Sequence, residues 1–389
     1  MRILHTSDWH IGRKFNEVDL LGDQAVFGDW LLSFVANEAI DVVLVSGDIF
    51  DQATPRADAV RLAGEIFDRL GALGTKVAII SGNHDSAERL NFVAGITAKA
   101  GLHIITERRV LREVTGPVTF VDGEGNSVQI LAVPYLEPTR LIETDGAVAT
   151  HQGVIEKALE NGRSQLVDPA RTIVMAHAFV AGGGVETADD MSSESERTLA
   201  VGGSALVNPK IFSDFGYVAL GHLHRPQTVG SEHVVYSGSP LSYSFSEEHD
   251  KSVRVITVDK KILSEVVPID VGRKVRTLTD TLDNLLKNTK YESAKDAFVR
   301  ARLTDVDLQL GAMDRLQKRF PFTLLVEQSE NRSEQALSVL IDPVTGEKRS
   351  PEDVVADYVS ETFGDTADDA LRAFINEGIN AALAMEDSL

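Results

Sequence analysis

The 389-residue chain contains no cysteine, which excludes disulfides and thiolate metal sites alike. Any metal it binds must therefore sit among oxygen and imidazole nitrogen, a donor set that favours Mn²⁺, Mg²⁺, Fe or Zn²⁺ over softer ions. Long apolar runs are missing too. No stretch reaches the roughly 18 residues expected of a membrane helix, and MRILHTSDWH lacks the basic then apolar pattern of a secretion signal. The expected location is the cytoplasm. Basic charge is short: 38 Lys and Arg face 59 Asp and Glu, for a net charge of −21. Nucleic-acid binding depends on cations that neutralise phosphates, so this shortage argues against a polyanionic partner at first sight. Its distribution weakens that objection, because residues 351–389 carry ten acids and a single Arg. Arg13, Lys14, Arg56, Arg61, Arg89 and Arg225 lie near the motif loops described next. Solvated surface is the plain reading of each, while bound divalent cations would reverse the local field.

What the chain does have is five short apolar runs that each empty into polar, chemically capable residues. They read RILHTSDWH (2–10), VVLVSGDIFD (42–51), VAIISGNHD (77–85), TIVMAHA (172–178) and YVALGHLH (217–224). Each is a plausible buried strand whose polar end lies at one edge of a sheet, the edge where open α/β sheets bind ligands. Asp8 and His10 are two residues apart, as are His222 and His224. Residues i and i+2 of an extended chain point to the same side, so each pair can aim into one cleft. Asp48 and Asn83 each follow a glycine that lets the backbone turn sharply. No single pair carries weight, but five together predict two metal ions. Asp48 is assigned as the bridge, with Asp8, His10 and His224 on one ion and Asn83, His177 and His222 on the other. Two hard or borderline cations about 3.5–4 Å apart suit phosphoester hydrolysis. His84, next to Asn83, is expected to point toward substrate as a proton donor, with Asp51 orienting its imidazole and favouring the charged form. His5 is read as a packed or supporting residue; His103, His151, His233 and His249 are assigned nothing.

Residues 1–271 alternate apolar runs with helical patterns, which predicts an α/β layered domain. Phe27, Trp30, Leu31, Phe34 and Val35 fall at helical spacing, as do Val60, Ala63, Phe67 and Leu70 after Pro55. Residues 110–133 and 234–258 read as strand pairs of a second, mixed or antiparallel sheet. A small α+β domain is expected over 272–328, with helices at 279–286 and 310–320 and strands at 297–303 and 322–327. A polar linker (329–350) and a helical, partner-binding segment (351–389) follow. The segment 181–203, with three consecutive glycines at Gly182–Gly184, reads as a lid or as a plain surface loop.

The motifs D-x-H, GD-x-x-D, GNHD, a lone His after a strand and GH-x-H resemble those of the calcineurin-like metallophosphoesterase superfamily. Within it, HTSDWHIG, GNHDS, GHLHRPQ and YSGSPLSYSFSEE are similar to the SbcD family of nuclease subunits. The resemblance implies a two-sheet β-sandwich flanked by helices, with a small α+β capping domain and C-terminal helices. It implies a Mn²⁺-dependent DNA exonuclease and endonuclease, with Mg²⁺ as the alternative metal, that acts in DNA repair and recombination as a homodimer. It also implies an SbcC-type coiled-coil ATPase partner docked on the terminal helices. Leu62, Ile66, Leu90, Phe92, Val93 and Ile96 are candidates for the dimer's helical bundle or for ordinary core. A small-substrate phosphodiesterase on the same fold, and a scaffold without metals, are the rival readings.

Overall fold

The computed structural model describes residues 1–107, 116–138, 150–182 and 206–328. The chain opens with β1 (Arg2–Thr6), the short hairpin β2 (Lys14–Phe15) and β3 (Val18–Asp19), and helix α1 (Leu21–Asn37). There follow β4 (Val42–Val45), α2 (Ala57–Ala72), β5 (Lys76–Ile80), α3 (Ala87–Thr97) and β6 (Leu102–Ile105). After β7 (Val118–Val121) and β8 (Ser127–Val133) come helix His151–Arg163, β9 (Thr172–His177) and β10 (Tyr217–Gly221). Next are β11 (Gln227–Val229), β12 (Ser231–Tyr236), β13 (Ser252–Val258) and β14 (Ile262–Pro268).

Two six-stranded sheets result, ordered β14-β13-β1-β4-β5-β6 and β11-β12-β10-β9-β8-β7. In the first, β1, β4, β5 and β6 run parallel and β13 and β14 are antiparallel additions. In the second, β8, β9, β10 and β12 are parallel and β7 and β11 close the edges antiparallel. Side-chain alternation explains why these strands read as unbroken apolar runs. On β9 and β10, Ile173, Met175, Tyr217 and Ala219 face the other sheet, where Ile3, Leu44 and Ile80 meet them. Val174, Val218 and Leu220 face outward against Val154, Ile155 and Leu159 of helix His151–Arg163. With both faces covered, no polar side is needed. Each fully buried aliphatic contributes roughly 1.5–3 kcal/mol.

Three expectations are corrected. The stretch 234–258 does not pair with itself: β12 joins the second sheet and β13 the first, because β13 finds its partners in β1 and β14. Val60 is exposed on α2, whose buried face is Ala59, Ala63, Ile66 and Leu70. The helix placed at 279–286 begins only at Leu282. Before it, β15 (Val275–Asp280) is extended, and Thr281 caps the helix Leu282–Lys287 by accepting from Asn284 N–H.

The chain divides into two compact units. The first comprises Met1–Arg276 with Asp296–Phe298, and the second the rest. In the later part β15, β16 (Phe298–Leu303) and β17 (Thr323–Gln328) form a three-stranded sheet. Leu282, Leu285, Val299, Leu303, Leu316 and Phe320 pack into its core, Leu316 coming from helix Ala312–Arg319. The segments 329–350 and 351–389, and all but Ala181 and Gly182 of the segment 181–203, lie outside the described residues. No helix among the described residues is long and apolar enough to cross a membrane.

Candidate metal centre

The loops that follow β1, β4, β5, β9 and β10 converge at one rim of the sandwich. They are laced together by backbone: Asp8 N–H donates to Gly47 O (3.0 Å), His10 N–H to Asp48 O (2.9 Å) and Ile11 N–H to Ile49 O (2.8 Å). Asp8, His10, Asp48 and His222 all adopt positive φ, at 54°, 43°, 51° and 108°. Such backbone costs on the order of 1–3 kcal/mol per residue and persists only where the surroundings over-determine it. Two glycines make room. Gly47 has φ 92°, and a Cβ there would collide with the His177 ring; a Cβ on Gly82 would collide with the Asp48 carboxylate. Asp85 ties the second and third loops, accepting from the N–H groups of Ile49 (3.2 Å), Phe50 (3.0 Å) and Gly82 (3.0 Å).

The seven residues assigned from the sequence meet here. Asp48 Oδ2 lies 3.6 Å from His10 Nε2 and 3.5 Å from His177 Nε2, between the two imidazoles. His10 Nε2 is 3.1 Å from His224 Nε2. Asn83 Oδ1 is 2.9 Å from His177 Nε2 and 3.0 Å from His222 Nδ1. The Asp8 carboxylate accepts from His222 N–H (3.0 Å). Among the described residues, the sets Asp8/His10/His224, Asp8/Asp48/His177 and His10/Asp48/His84 each bring one ligand atom per residue within 4.8 Å of the others.

Burial sets the electrostatics. Desolvation raises the Asp8 carboxyl to about 7, although His177 and His224 pull it down. Desolvation lowers His222 to about 3 and holds His10 well below the ordinary histidine value. Burial would also lower His177, but the Asp48 carboxylate outweighs it and lifts the imidazole to about 9. Burial would likewise raise Asp48; His177 overcomes that and holds it well below the usual carboxylate range.

The donor set fits divalent cations. His177 Nδ1 faces the Ser46 carbonyl at 2.8 Å and His224 Nδ1 faces a Glu247 carboxylate oxygen at 3.0 Å. A carbonyl or carboxylate oxygen only accepts, so each Nδ1 carries the proton. In a neutral His224 ring, Nε2 then turns a lone pair toward His10 Nε2, whereas His177, lifted to about 9, holds its second proton at Nε2 beside the Asn83 and Asp48 oxygens, a proton that a divalent cation would displace. Lone pairs gathered with so few protons among them repel, and divalent cations relieve such repulsion. His10 Nδ1 is buried without a hydrogen bond, 3.7 Å from Asp51 Oδ1.

The expected Asp51–His84 arrangement is corrected. His84 Nδ1 donates to the backbone carbonyl of Asp51 (2.8 Å), not to its carboxylate. Arg13 draws that carboxylate away, at 2.8 Å. His84 itself is half-buried, donates its backbone N–H to Asp48 Oδ1 (2.9 Å) and stands edge-on to His10 with ring centroids 4.7 Å apart. Sequence reasoning assigned no role to three residues. Asp85 is one. Tyr243 is another, edge-on to both His10 and His224, beneath the Arg13 guanidinium and donating to Trp9 O. Glu247 is the third, fully buried against His224. Tyr243 and Glu247 both lie in the SYSFSEE stretch, whose paired acids among serines and aromatics do not single out Glu247 from Glu248.

Residues 1–226 match the family model described as calcineurin-like phosphoesterase. Residues 271–363 match the SbcD C-terminal domain model, described as type 5 capsule protein repressor C-terminal domain. Among solved structures, the chain is similar to TT1561 of Thermus thermophilus, at 15% identity and a TM-score of 0.41, covering 69% of this chain and 98% of that one. It is also similar to a dimetal phosphatase from Danio rerio, at 12% identity and a TM-score of 0.39, with the same two coverages.

Proposed function

The chain belongs to the calcineurin-like phosphoesterase family, whose model takes in more than half of it, and from that premise we propose that it is a DNA nuclease. In this reading it cleaves phosphodiesters as a double-strand exonuclease and hairpin endonuclease, in concert with an SbcC-type ATPase. The observation that carries it is the convergence of two oxygen donors, Asp8 and Asn83, and four imidazoles on the two sides of the Asp48 carboxylate. Asp8, His10 and His224 would hold one cation, Asn83, His177 and His222 the other, and Asp48 both. When bound, two such ions, Mn²⁺ first and Mg²⁺ as the alternative, polarise the phosphoester and lower the pKa of water at the site.

The protein's own residues do the rest. Asp48 fixes the His84 backbone, and the Asp51 carbonyl fixes its ring through Nδ1. Nε2 is left for the leaving oxygen of the cut strand, to which it passes a proton. The C-terminal domain match supports the nuclease assignment and the ATPase partner. An apolar groove of about 690 Å³ along α2 and α3, lined by Val60, Phe67, Leu90, Phe92 and Val93, supports the homodimer. On α3, Phe92 and Ile96 are 85% and 75% exposed, more apolar surface than a monomer ordinarily shows to water.

The test is Mn²⁺-dependent degradation of linear duplex and hairpin DNA beside hydrolysis of a cyclic nucleotide, each with and without the ATPase. Shortening of DNA with little cyclic-nucleotide turnover is expected. The reverse preference would establish the small-substrate phosphodiesterase instead.

A further inference from the structure

Behind His224, on the side away from His10, lies a closed cluster of charged and polar groups that catalysis does not use directly. Glu247 is fully buried; burial would raise its carboxyl, but Lys251 and His224 overcome that and hold it well below the usual carboxylate range. One carboxylate oxygen faces His224 Nδ1 at 3.0 Å, and the other accepts from Lys251 Nζ at 2.6 Å and Tyr243 N–H at 3.2 Å. Lys251, itself buried, also donates to Ser239 Oγ (2.9 Å) and to the His224 carbonyl (3.3 Å). The lysine therefore grips both the carboxylate and the backbone of the histidine that the carboxylate touches. With Glu247 at its flank, His224 has one tautomer and one ring orientation open to it: Nδ1 protonated, Nε2 bare and turned toward His10 Nε2.

We propose that Glu247, held by Lys251, is a positioning residue of the metal centre that locks the His224 imidazole for binding one of the two cations. This rests on the two-metal reading given above. The two cations then differ in their dependence on the cluster. The ion shared by Asp8, His10 and His224 needs Glu247; the ion shared by Asn83, His177 and His222 has the Ser46 carbonyl behind His177 in its place. A buried ion pair with no such role would show a different pattern, since replacing both charges by apolar groups of similar size restores the packing.

The experiment titrates Mn²⁺ into the full metal-free chain by calorimetry and follows the ions by electron paramagnetic resonance. Four proteins are compared: wild type, Glu247→Gln, Lys251→Met and the double variant Glu247→Met/Lys251→Met. Thermal unfolding of each metal-free protein is measured in parallel. Wild type is expected to bind two ions with an exchange-coupled spectrum. Glu247→Gln should weaken one site by about 10–100-fold, the usual cost of losing a partner behind a metal-binding histidine, and leave the other unchanged. At one equivalent it should show the uncoupled spectrum of isolated Mn²⁺. The double variant decides: regained thermal stability without regained affinity supports the proposal, whereas wild-type affinity at both sites overturns it. Wild type binding fewer than two ions would instead bring down the two-metal reading, and this inference with it.

Discussion

The two halves of the centre are built to different plans. On one side His10 and His224 are backed by ionised groups, Asp51 with Arg13 and Glu247 with Lys251. On the other side His177 is backed by a neutral backbone carbonyl, and His222 shares the side-chain oxygen of Asn83 with it. Exposure follows this division only in part, since His177 and His222 are buried too. Asp8, His10 and His224 are almost wholly shielded, while Asn83 and His84 are half-buried. Charge in the supporting layer is tolerated where it is sealed and paired; in the proposed mechanism the side backed by neutral dipoles, where Asn83 and His84 are half-buried, is the one that meets substrate. The first half is thus an anchor and the second a working face.

Asp48 belongs to both halves, so its loss gives the largest expected effect. Asp48→Asn removes the carboxylate that stands between His10 and His177. Bound metal should fall from two ions per chain to one or none, measured by elemental analysis after gel filtration. The proposed nuclease activity should fall by more than the ~10⁴-fold upper end for a single proton donor. Two ions retained at full occupancy would show that the halves do not share this residue.

Next in size comes His84, on the working face alone. His84→Gln keeps a side chain able to reach the Asp51 carbonyl but removes the proton to be delivered. Turnover is expected to drop about 10²–10⁴-fold with metal content unchanged. Loss of metal together with activity would move His84 from the working face into the anchor.

How much of this was legible depends on where each residue's partner lies in the chain. Asp8, His10, His222 and His224 announce themselves because they crowd the ends of apolar runs, a local property, but not through the extended i, i+2 geometry expected of them: they lie past the strand ends, and Asp8, His10 and His222 have positive φ. Asn83 and Asp48 follow glycines, and both glycines prove to be squeezed against the centre. Glu247 was opaque: its partner His224 is 23 residues away, and nothing local distinguishes it from Glu248. The Asp51 carboxylate misled because three-residue proximity to Asp48 says nothing about Arg13, 38 positions earlier. The sheet assignment of β13 failed for the same reason, since pairing with β1 spans the whole first unit.

The smallest effect lies beneath the anchor half, in His5 of β1. This imidazole bridges the two sheets, with Nδ1 3.1 Å from Tyr217 Oη and Nε2 3.1 Å from the Leu220 carbonyl. It thereby ties the strand leading to Asp8 and His10 to the strand leading to His222 and His224. Burial drives its pKa from 6.5 to about 3; the Leu220 carbonyl opposes that shift and Arg254 adds to it. The unfolded chain therefore binds a proton between those values that the folded chain refuses. Stability from this group is intact above pH 6.5 and declines as pH falls toward 3, by up to about 1.4 kcal/mol per pH unit. His5→Gln lacks the titrating group. Urea unfolding of the metal-loaded proteins at pH 7, 6 and 5 should show the wild-type advantage shrinking by about 1–2 kcal/mol as the pH falls. A constant gap between the two proteins would mean that the neutral imidazole is not what joins the two strands, and that the anchor half is held by its charged flank alone.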